Sequence, residues 1–360
     1  MDKTKIEWTA TTNPDGTVTP GSTWNIIRGC SRVSPGCGIK DAGGCYAERQ
    51  ALRQAGPGGG YEGLVRMTPN GPRWTGKISF HEKILLRPLR WKRPRKIFVN
   101  SMSDLFHKNV KDEWIDKAFA VMALTPQHTY QILTKRPERM LEYFDDPETR
   151  YRIGSAVGDL IPRFAANESL REKAEALISA FFGSETDEDG DEVYVKNALP
   201  LPNVWLGVSV EDQKTADERI PLLLKTPAAI RFLSIEPLLG RVEFSVVSGR
   251  ADAVSQLGRR ALAGIDWVIV GGESGPKSRA CELGWILSIV KQCQATGVPV
   301  FVKQLGARPI AADGLTWNGL LDPPEPGQEF RTQHSKGGDM DEWPVELRVR
   351  EFPRAEARSE

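Results

Sequence analysis

The segment VWLGVSVEDQKTADERIPLLLKTPAAIRFLSIEP (204–237) decides the fold. It opens with a short run rich in β-branched residues, VWLGVSVE (204–211), and closes with another, IRFLSIEP (230–237). The residues between them are a candidate amphipathic helix. Strand, helix and strand in this order predict two parallel strands joined by a right-handed crossover.

Five similar runs lie on either side of this segment: TWNI (23–26), KIFVNSMS (96–103), YQILTK (130–135), DWVIVGGE (266–273) and VPVFVKQLG (298–306). Their apolar residues are nearly continuous, which is typical of parallel strands buried on both faces. Helices are predicted at 112–124 and at 281–297, where Gly297 is a capping glycine. The sequence therefore predicts an α/β protein whose parallel sheet is open or closed into a β/α barrel.

The alternation of predicted strands and helices along the chain also predicts the domain organisation. We expect residues 1–306 to form one barrel domain, with a loop around the cysteines at 23–50. Residues 145–200 interrupt this alternation with a helical stretch and an exposed acidic turn (185–192), so we interpret them as an insertion. Residues 307–360 are rich in Gly, Pro and charge, and they predict an irregular C-terminal extension packed on the barrel.

Composition narrows the class of protein. The 360 residues are 40% hydrophobic and 26% charged, as in a globular protein with a sizeable core. The net charge is only +1, so any nucleic-acid-binding surface must be local. The N-terminal segment lacks the apolar core of a signal peptide, and no stretch approaches ~18 uninterrupted apolar residues. We therefore expect a cytoplasmic protein with no membrane partner.

Polar side chains end nearly every predicted strand. In parallel barrels the carboxyl ends of the strands meet on one face, where the chemistry occurs. We therefore predict a site at this face. The paired glycines at 271 and 272 permit a close backbone approach, or simply form a turn after a buried strand. The polar residues at the strand ends are Ser101, Ser103, Asp104, Thr134, Lys135, Arg136, Ser209, Glu211, Ser234, Glu236, Glu273, Lys303 and Gln304.

Three of the five cysteines, Cys30, Cys37 and Cys45, lie close together in a glycine-rich loop. Clustered cysteines without a secretion signal are typical of metal ligands. A structural zinc takes four protein ligands, and the loop offers no histidine. A four-iron cluster on three cysteines leaves one iron open for a substrate. The residues alone leave both sites possible, with unligated thiols as a third interpretation. Cys281 and Cys293 are predicted to be buried thiols on a helix.

Several motifs together resemble a family first noted in phage genomes, which carries a three-cysteine motif and is similar to radical S-adenosylmethionine enzymes. The resemblance covers nearly the whole chain, and it implies a radical-SAM-type partial β/α barrel with a [4Fe-4S] cluster on Cys30, Cys37 and Cys45. The family's loop has two residues between its last two cysteines, whereas this chain has seven. The motifs are TWN (23–25), GC (29–30), VSPGC (33–37), CYAER (45–49), FVNSMSDLFH (98–107), GVSVED (207–212), SIEPLLG (234–240), VGGESGP (270–276) and WPVELRVREFP (343–353).

Among characterised enzymes the chain is most similar to spore photoproduct lyase, on the Ser101–Asp104 segment and the Thr134–Lys135 pair. This likeness implies that Ser103, Asp104, Lys135 and Ser209 contact S-adenosylmethionine. The lyase has its hydrogen-donating cysteine where this chain has Ser101, and a serine O–H is a far poorer hydrogen-atom donor. Another group must therefore quench the product radical, or the reaction differs. The other predicted cofactor-binding residues are Tyr46, Glu211, Gly271, Gly272 and Glu273, and the predicted catalytic residues are Ser101, Glu236 and Lys303.

The resemblance implies a 5′-deoxyadenosyl radical that abstracts hydrogen from a substrate, with an electron donor such as flavodoxin or ferredoxin. The basic run RPLRWKRPRK (87–96) predicts phosphate contacts and base stacking by Arg90, Trp91, Lys92, Arg93 and Arg95, unless it is a solvated loop. We predict a lyase-like enzyme that repairs or modifies nucleic acid. The alternatives are radical modification of a small molecule or peptide, and a non-catalytic zinc-binding module. Salt-dependent retention on DNA separates the first two, and iron content separates both from the third.

Overall fold

The chain folds around a curled, seven-stranded parallel sheet that forms a half-barrel. This is a computed structural model, and it describes residues 4–12, 15–38, 44–164, 166–186, 192–194, 199–244, 262–318 and 323–353. The strands of the sheet are β1 (Ser22–Trp24), β2 (Lys96–Val99), β3 (Thr129–Thr134), β4 (Val204–Ser209), β5 (Ile230–Ile235), β6 (Trp267–Gly271) and β7 (Val300–Gln304).

The strands lie side by side in chain order, and each pairs in parallel with the next. Their carboxyl ends therefore share one edge of the sheet, here named the carboxyl edge, and the opposite edge is named the amino edge. Each strand overlaps one of the seven runs that predicted it. The prediction of an α/β protein with a parallel sheet is confirmed.

Eight α-helices occur in the described residues. Helix α3 has the predicted bounds, and α8 ends as predicted at Gly297, whose φ of 72° is left-handed. Cys281 does not lie on that helix, because it belongs to a short strand just before it; both Cys281 and Cys293 are buried, as predicted. The helices are α1 (Tyr46–Leu52), α2 (Glu82–Leu85), α3 (Asp112–Leu124), α4 (Pro137–Asp145), α5 (Thr149–Leu160), α6 (Glu168–Phe182), α7 (Gln213–Lys225) and α8 (Leu283–Thr296).

Both faces of the sheet are buried, which explains the continuous apolar runs. The outer face contributes aliphatic residues such as Ile132, Val208 and Val268 to the core shared with the helices. The inner face is largely aromatic, and together with Trp8 it forms a second core that contains Trp205, Phe232, Trp267, Ile269 and Phe301.

The two ends of the described chain meet over the inner face. Trp8 packs edge-on against Phe98, with ring centroids 4.8 Å apart, and Phe352 packs against Trp267 at 5.6 Å. Lys96 joins both segments, because its ammonium donates to the Ala10 carbonyl at 3.2 Å and lies 4.0 Å from the Phe352 ring centroid. The inner core is thus closed by residues far apart in the sequence.

Residues 145–200 contain α5 and α6, and α5 packs on both α3 and α6. A short antiparallel pair, Ser184–Thr186 with Glu192–Tyr194, follows α6; the acidic turn between these strands, 187–191, lies outside the described residues. The C-terminal extension runs beside β7, where Val302 N–H donates to the Val349 carbonyl at 2.9 Å. Trp343 of the extension is fully buried.

Smaller elements complete the described residues, and none of the helices there is long and apolar enough to cross a membrane. The short strands are Thr11–Thr12, Val18–Thr19, Ile27–Arg28, Val65–Thr68, Gly71–Trp74, Ser79–Phe80, Cys281–Glu282 and Pro309–Ile310. The 3-10 helices are Glu7–Thr9, Pro35–Cys37, Pro88–Arg90, Ile161–Phe164, Met340–Glu342 and Val345–Leu347.

Candidate functional site

The cysteine loop, residues 29–38, follows β1 and crosses the carboxyl edge of the sheet. It contains Cys30 and Cys37, and Cys45 is the residue before α1. Of the seven residues between Cys37 and Cys45, residues 39–43 lie outside the described residues. Side chains from several strand ends hold this loop, and they define the site.

The first attachment comes from the end of β3. Arg136 donates to the Ser31 carbonyl at 2.9 Å and pairs with Asp104 at 2.7 Å. Asp104 also accepts from the Thr134 hydroxyl at 2.8 Å and from the Lys135 backbone N–H at 3.1 Å. Because its oxygens are used inside the protein, Asp104 positions Arg136 and the β3 end here, and the cofactor contact predicted for it stays untested.

His107 supports the same part of the loop. Its Nδ1 accepts from the Asn109 backbone N–H at 3.1 Å, so the ring proton lies on Nε2 and faces the Ser31 hydroxyl at 2.8 Å. Burial, with help from Arg136, lowers the pKa of His107 to about 4. His107 is therefore neutral at physiological pH, and both ring nitrogens are occupied.

The second attachment comes from the residues after β4. Ser34 of the loop donates to Glu211 at 2.7 Å, and the same carboxylate oxygen pairs with Lys135 and, at 3.4 Å, with Arg219. Lys135 also donates to Ser209 at 2.9 Å. Burial alone raises the pKa of Glu211, but these two cations hold it below its ordinary value. Glu211 is thus a buried carboxylate that stays ionised.

The loop passes so closely over Glu211 that only glycine fits at Gly36. A Cβ there would overlap the Glu211 carboxylate. The other Glu211 oxygen, Oε2, is buried and has no hydrogen-bond partner among the residues that the structure describes. A buried acceptor without a donor is uncommon in proteins and indicates an unsatisfied interaction at this point of the site.

We expect Gly36→Ala to lower the free energy of unfolding by about 1–3 kcal/mol, because the added methyl group must displace either the loop or the Glu211 carboxylate. Urea denaturation measures this loss. Gly56→Ala is the matched control, since a Cβ at Gly56 meets no atom within 4 Å. Equal stability of the two variants would contradict the close contact between Gly36 and Glu211.

The third attachment comes from the loop after β6. Arg279 donates to the Pro35 carbonyl at 2.9 Å and binds Glu273 through two nitrogens, at 2.8 and 2.9 Å. Burial acts to raise the pKa of Glu273, but Arg279 keeps it low. Glu273, predicted to bind the cofactor, is engaged by Arg279 in this structure and positions the loop.

The paired glycines permit a close approach between protein backbones. A Cβ at Gly272 would strike the Leu305 carbonyl, and one at Gly271 would lie 2.9 Å from Glu236. Glu236 in turn pairs with Lys303 at 3.1 Å, across the ends of β5 and β7. The two predicted catalytic residues Glu236 and Lys303 therefore lie together.

The residues after β2 face the start of the loop. Ser101 donates to Asn25 at 3.1 Å, and Ser103 donates to the Ile27 carbonyl at 2.8 Å. Tyr46, at the start of α1, is 61% exposed. Ser101 and Ser103 are thus near the cysteine loop and hydrogen-bonded within the protein, while Tyr46 is open to solvent.

The three thiols are half-buried, and Cys30 and Cys45 pack beside one small core of Ala47, Ala51, Tyr61, Leu64, Val65, Trp74 and Met102. Burial raises the pKa of Cys30 to about 12 and also raises that of Cys45, and the charges of the other cysteines act in the same direction. Among the described residues, no three Cys, His, Asp or Glu side chains converge as ligands of one metal ion.

The basic run 87–96 is not part of this site. It ends at the first residue of β2, so it lies at the amino edge, opposite the cysteines. Trp91 is half-buried, and the Arg95 guanidinium covers its ring at 4.7 Å. Arg90, Lys92 and Arg93 are exposed. The structure does not bring the predicted nucleic-acid-binding residues together with the predicted cofactor-binding residues.

Several residues of the site were not predicted, among them Ser31, Ser34, Arg219 and Arg279. Arg219 had a detectable signal, because it occupies the apolar stripe of α7 between Ala216 and Leu223, where a charged residue needs a buried partner. Ser31, Ser34 and Arg279 have no such signal, since their partners are distant in the sequence.

Comparison with known proteins gives one family. Residues 3–342 match the family described as "Protein of unknown function (DUF5131)". No curated protein and no solved structure matches the chain.

Proposed function

The chain belongs to the DUF5131 family of unknown function, and we propose that it is a radical S-adenosylmethionine enzyme with a [4Fe-4S] cluster on Cys30, Cys37 and Cys45. The observation that carries the proposal is the attachment of the cysteine loop at three separate points of the carboxyl edge, through Arg136, Glu211 and Arg279. Active sites of parallel barrels lie at this edge.

The chemistry of the donor set fits the cluster. Three thiols are available, and the nearby His107 already uses both ring nitrogens. The three thiolates of a four-iron cluster bind three different irons, so their sulfurs need not converge on one point as the ligands of a single ion do. The alternative that is not an enzyme, a zinc-binding module, requires a fourth protein ligand for its zinc ion.

The site also fits S-adenosylmethionine. Glu211 Oε2 is a buried acceptor without a donor in the described part of the chain, and the cofactor carries donors in its ammonium and ribose hydroxyl groups. Ser209, Lys135 and the pair Glu236–Lys303 supply further polar groups on neighbouring strand ends. In this proposal Glu211 and Lys135 orient the cofactor, while Glu236 and Lys303 face the substrate.

When bound, the cluster and S-adenosylmethionine supply a 5′-deoxyadenosyl radical by one-electron reductive cleavage. The residues of the chain orient the two reactants and keep water away, which is the usual contribution of a protein to cofactor chemistry. Ser101 is a poor hydrogen-atom donor, so the hydrogen that quenches the product radical comes from another group. The reduced cluster requires an electron donor such as flavodoxin or ferredoxin, as expected for a cytoplasmic enzyme.

We further propose a nucleic acid as substrate, in a lesion repair or modification reaction. Exposed cations on residues 53–77, beside the cysteine loop, support this choice. Radical modification of a small molecule or peptide is the alternative among enzymes, in which case the cations would serve an acidic electron donor.

Anaerobic reconstitution tests the radical chemistry. The protein is loaded with iron and sulfide and then given dithionite and S-adenosylmethionine, and 5′-deoxyadenosine is followed by chromatography. We expect about four irons per chain and formation of 5′-deoxyadenosine. A folded protein that binds about one zinc, takes up no iron and forms no 5′-deoxyadenosine would establish the zinc module instead.

A further inference from the structure

We propose that the basic arm, residues 53–77, binds the phosphate backbone of a nucleic acid beside the cysteine loop. The arm contains four basic residues, Arg53, Arg66, Arg73 and Lys77, and one acidic residue, Glu62. The inference deepens the proposed function, because it identifies where its substrate would bind; the binding itself does not depend on the radical chemistry.

The arm is fixed next to the cysteines. Its hairpin, Val65–Thr68 with Gly71–Trp74, buries Val65 and Trp74 in the small core that also contacts Cys30 and Cys45. The backbone of Lys77 lies so close to Gly29 that a Cβ at Gly29 would overlap the Lys77 carbonyl. A ligand on the arm is therefore adjacent to the cysteine loop.

The hairpin places two positive charges opposite each other. Arg66 and Arg73 are direct cross-strand partners, and like charges in this arrangement destabilise a hairpin. Arg73 lies 3.9 Å from Glu48, but that carboxylate is already bound by Arg32 at 2.6 Å. Arg66 is exposed and has no acidic partner among the described residues. An anionic ligand would relieve this repulsion.

The other cations of the arm are also available. Arg53 is exposed and donates to the neutral Gln50 at 3.3 Å. Lys77 is exposed and has no ion pair in the described part of the chain. The only acid of the arm, Glu62, accepts from the Gly58 backbone N–H at 2.8 Å. The arm therefore carries more cations than acids, and three of its cations, Arg53, Arg66 and Lys77, have no ion pair among the described residues.

This basic surface continues towards the segment between β2 and α3. Asn109 donates to the Gly76 carbonyl at 3.1 Å, so the segment that carries the exposed Lys108 contacts the segment that carries Lys77. Two exposed side chains with apolar surface lie on or beside the same region, Tyr46 at 61% and Met67 at 64% exposure. Cations that follow a backbone, together with an aromatic ring on which a base can stack, are typical of nucleic-acid binding. An acidic protein partner would explain the cations but not the exposed ring.

Binding of a fluorescent oligonucleotide, single-stranded and as a duplex, tests the arm by anisotropy over a range of salt concentrations. The test variant is Arg66→Gln with Lys77→Gln. The matched control is Arg90→Gln with Arg93→Gln, which removes two exposed charges from the basic run at the amino edge. Thermal unfolding shows whether both variants fold.

We expect the arm variant to bind roughly tenfold more weakly, with a slope of log affinity against log salt that is shallower by roughly 1.4–1.8. The control variant should bind like the wild type. The proposal is overturned if the wild type binds neither oligonucleotide, if the arm variant binds as tightly as the wild type, or if only the control loses affinity. Slower reduction by a flavodoxin with unchanged oligonucleotide binding would assign the arm to an acidic protein and also overturn it.

Because this assay contains no S-adenosylmethionine, its failure is distinguishable from failure of the proposed function. If the protein forms 5′-deoxyadenosine but binds no oligonucleotide, the proposed role of the basic arm is wrong and the proposed radical chemistry is unaffected. If the protein binds the oligonucleotide but forms no 5′-deoxyadenosine, the proposed radical chemistry is wrong and the proposed role of the basic arm is unaffected.

Discussion

Cys37→Ala abolishes both iron uptake and formation of 5′-deoxyadenosine, if the proposed function is correct. Cys37 is the most informative of the three cysteines, because Cys30 and Cys45 also pack against the small core beside the arm, whereas Cys37 does not. Its replacement therefore removes a thiolate with little loss of packing. A cluster left with two cysteines has lost a protein ligand, so both measurements should fall to background.

Cys293→Ala is the control for that experiment. Cys293 is a buried thiol on α8, remote from the cysteine loop in the sequence and packed in the main core. This variant should keep the iron content and the activity of the wild type. If Cys37→Ala binds as much iron as Cys293→Ala and forms 5′-deoxyadenosine, the cluster assignment is wrong.

Glu211→Ala is expected to lower the free energy of unfolding by about 3–5 kcal/mol, which is the usual effect of removing one member of a buried ion pair. Glu211 is fully buried, and its removal leaves Arg219, 5% exposed, and Lys135 without their shared carboxylate. Ser34 loses its acceptor as well, so the cysteine loop loses one of its attachments. Urea denaturation gives the magnitude.

Two further variants make the Glu211 result specific. Glu113→Ala breaks the exposed pair between Glu113 and Lys117, and it should cost at most about 0.5 kcal/mol. Glu211→Gln keeps an acceptor for Ser34 and should be less destabilised than Glu211→Ala, so it remains testable if the alanine variant does not fold. Equal stability of Glu211→Ala and Glu113→Ala would refute the structural role assigned to Glu211.

The fold was largely predictable from the sequence, because a strand buried on both faces must be apolar along its whole length. IRFLSI and WVIVG show this pattern, and they form β5 and β6. The pattern does not tell the outer face from the inner face. The inner core depends on Trp8 and Phe352, which come from opposite ends of the chain and carry no local signal of their contact with Trp267.

The site was predictable in its location but not in its connections. Polar residues at the strand ends predicted where Glu211, Glu236 and Lys303 lie, since the carboxyl ends of parallel strands share one edge. Which partners they bind depends on loops that cross the sheet. Asp104 shows the difference, because the sequence placed it at a strand end but did not indicate that it binds Arg136 and Thr134.

The two basic segments of the chain differ in how far the sequence reveals their position relative to the site. Six of the ten residues at 87–96 are basic, so this run dominates the sequence, but it lies at the amino edge. The basic arm contains fewer cations over a longer stretch, and its hairpin brings Arg66 opposite Arg73. This pairing of charges follows from the strand register and cannot be read from the spacing of the residues in the sequence.

Closure of the inner core by both chain ends has a consequence for synthesis on the ribosome. Phe352 packs against both Trp267 and Phe301, and the Trp267 indole N–H donates to the Glu351 carbonyl at 2.8 Å. An emerging chain can pair its strands in order, but its aromatic inner face stays incomplete until residues 351 and 352 have left the exit tunnel. Truncation before these residues would leave a nascent chain with exposed aromatic surface, a substrate for chaperones and proteases.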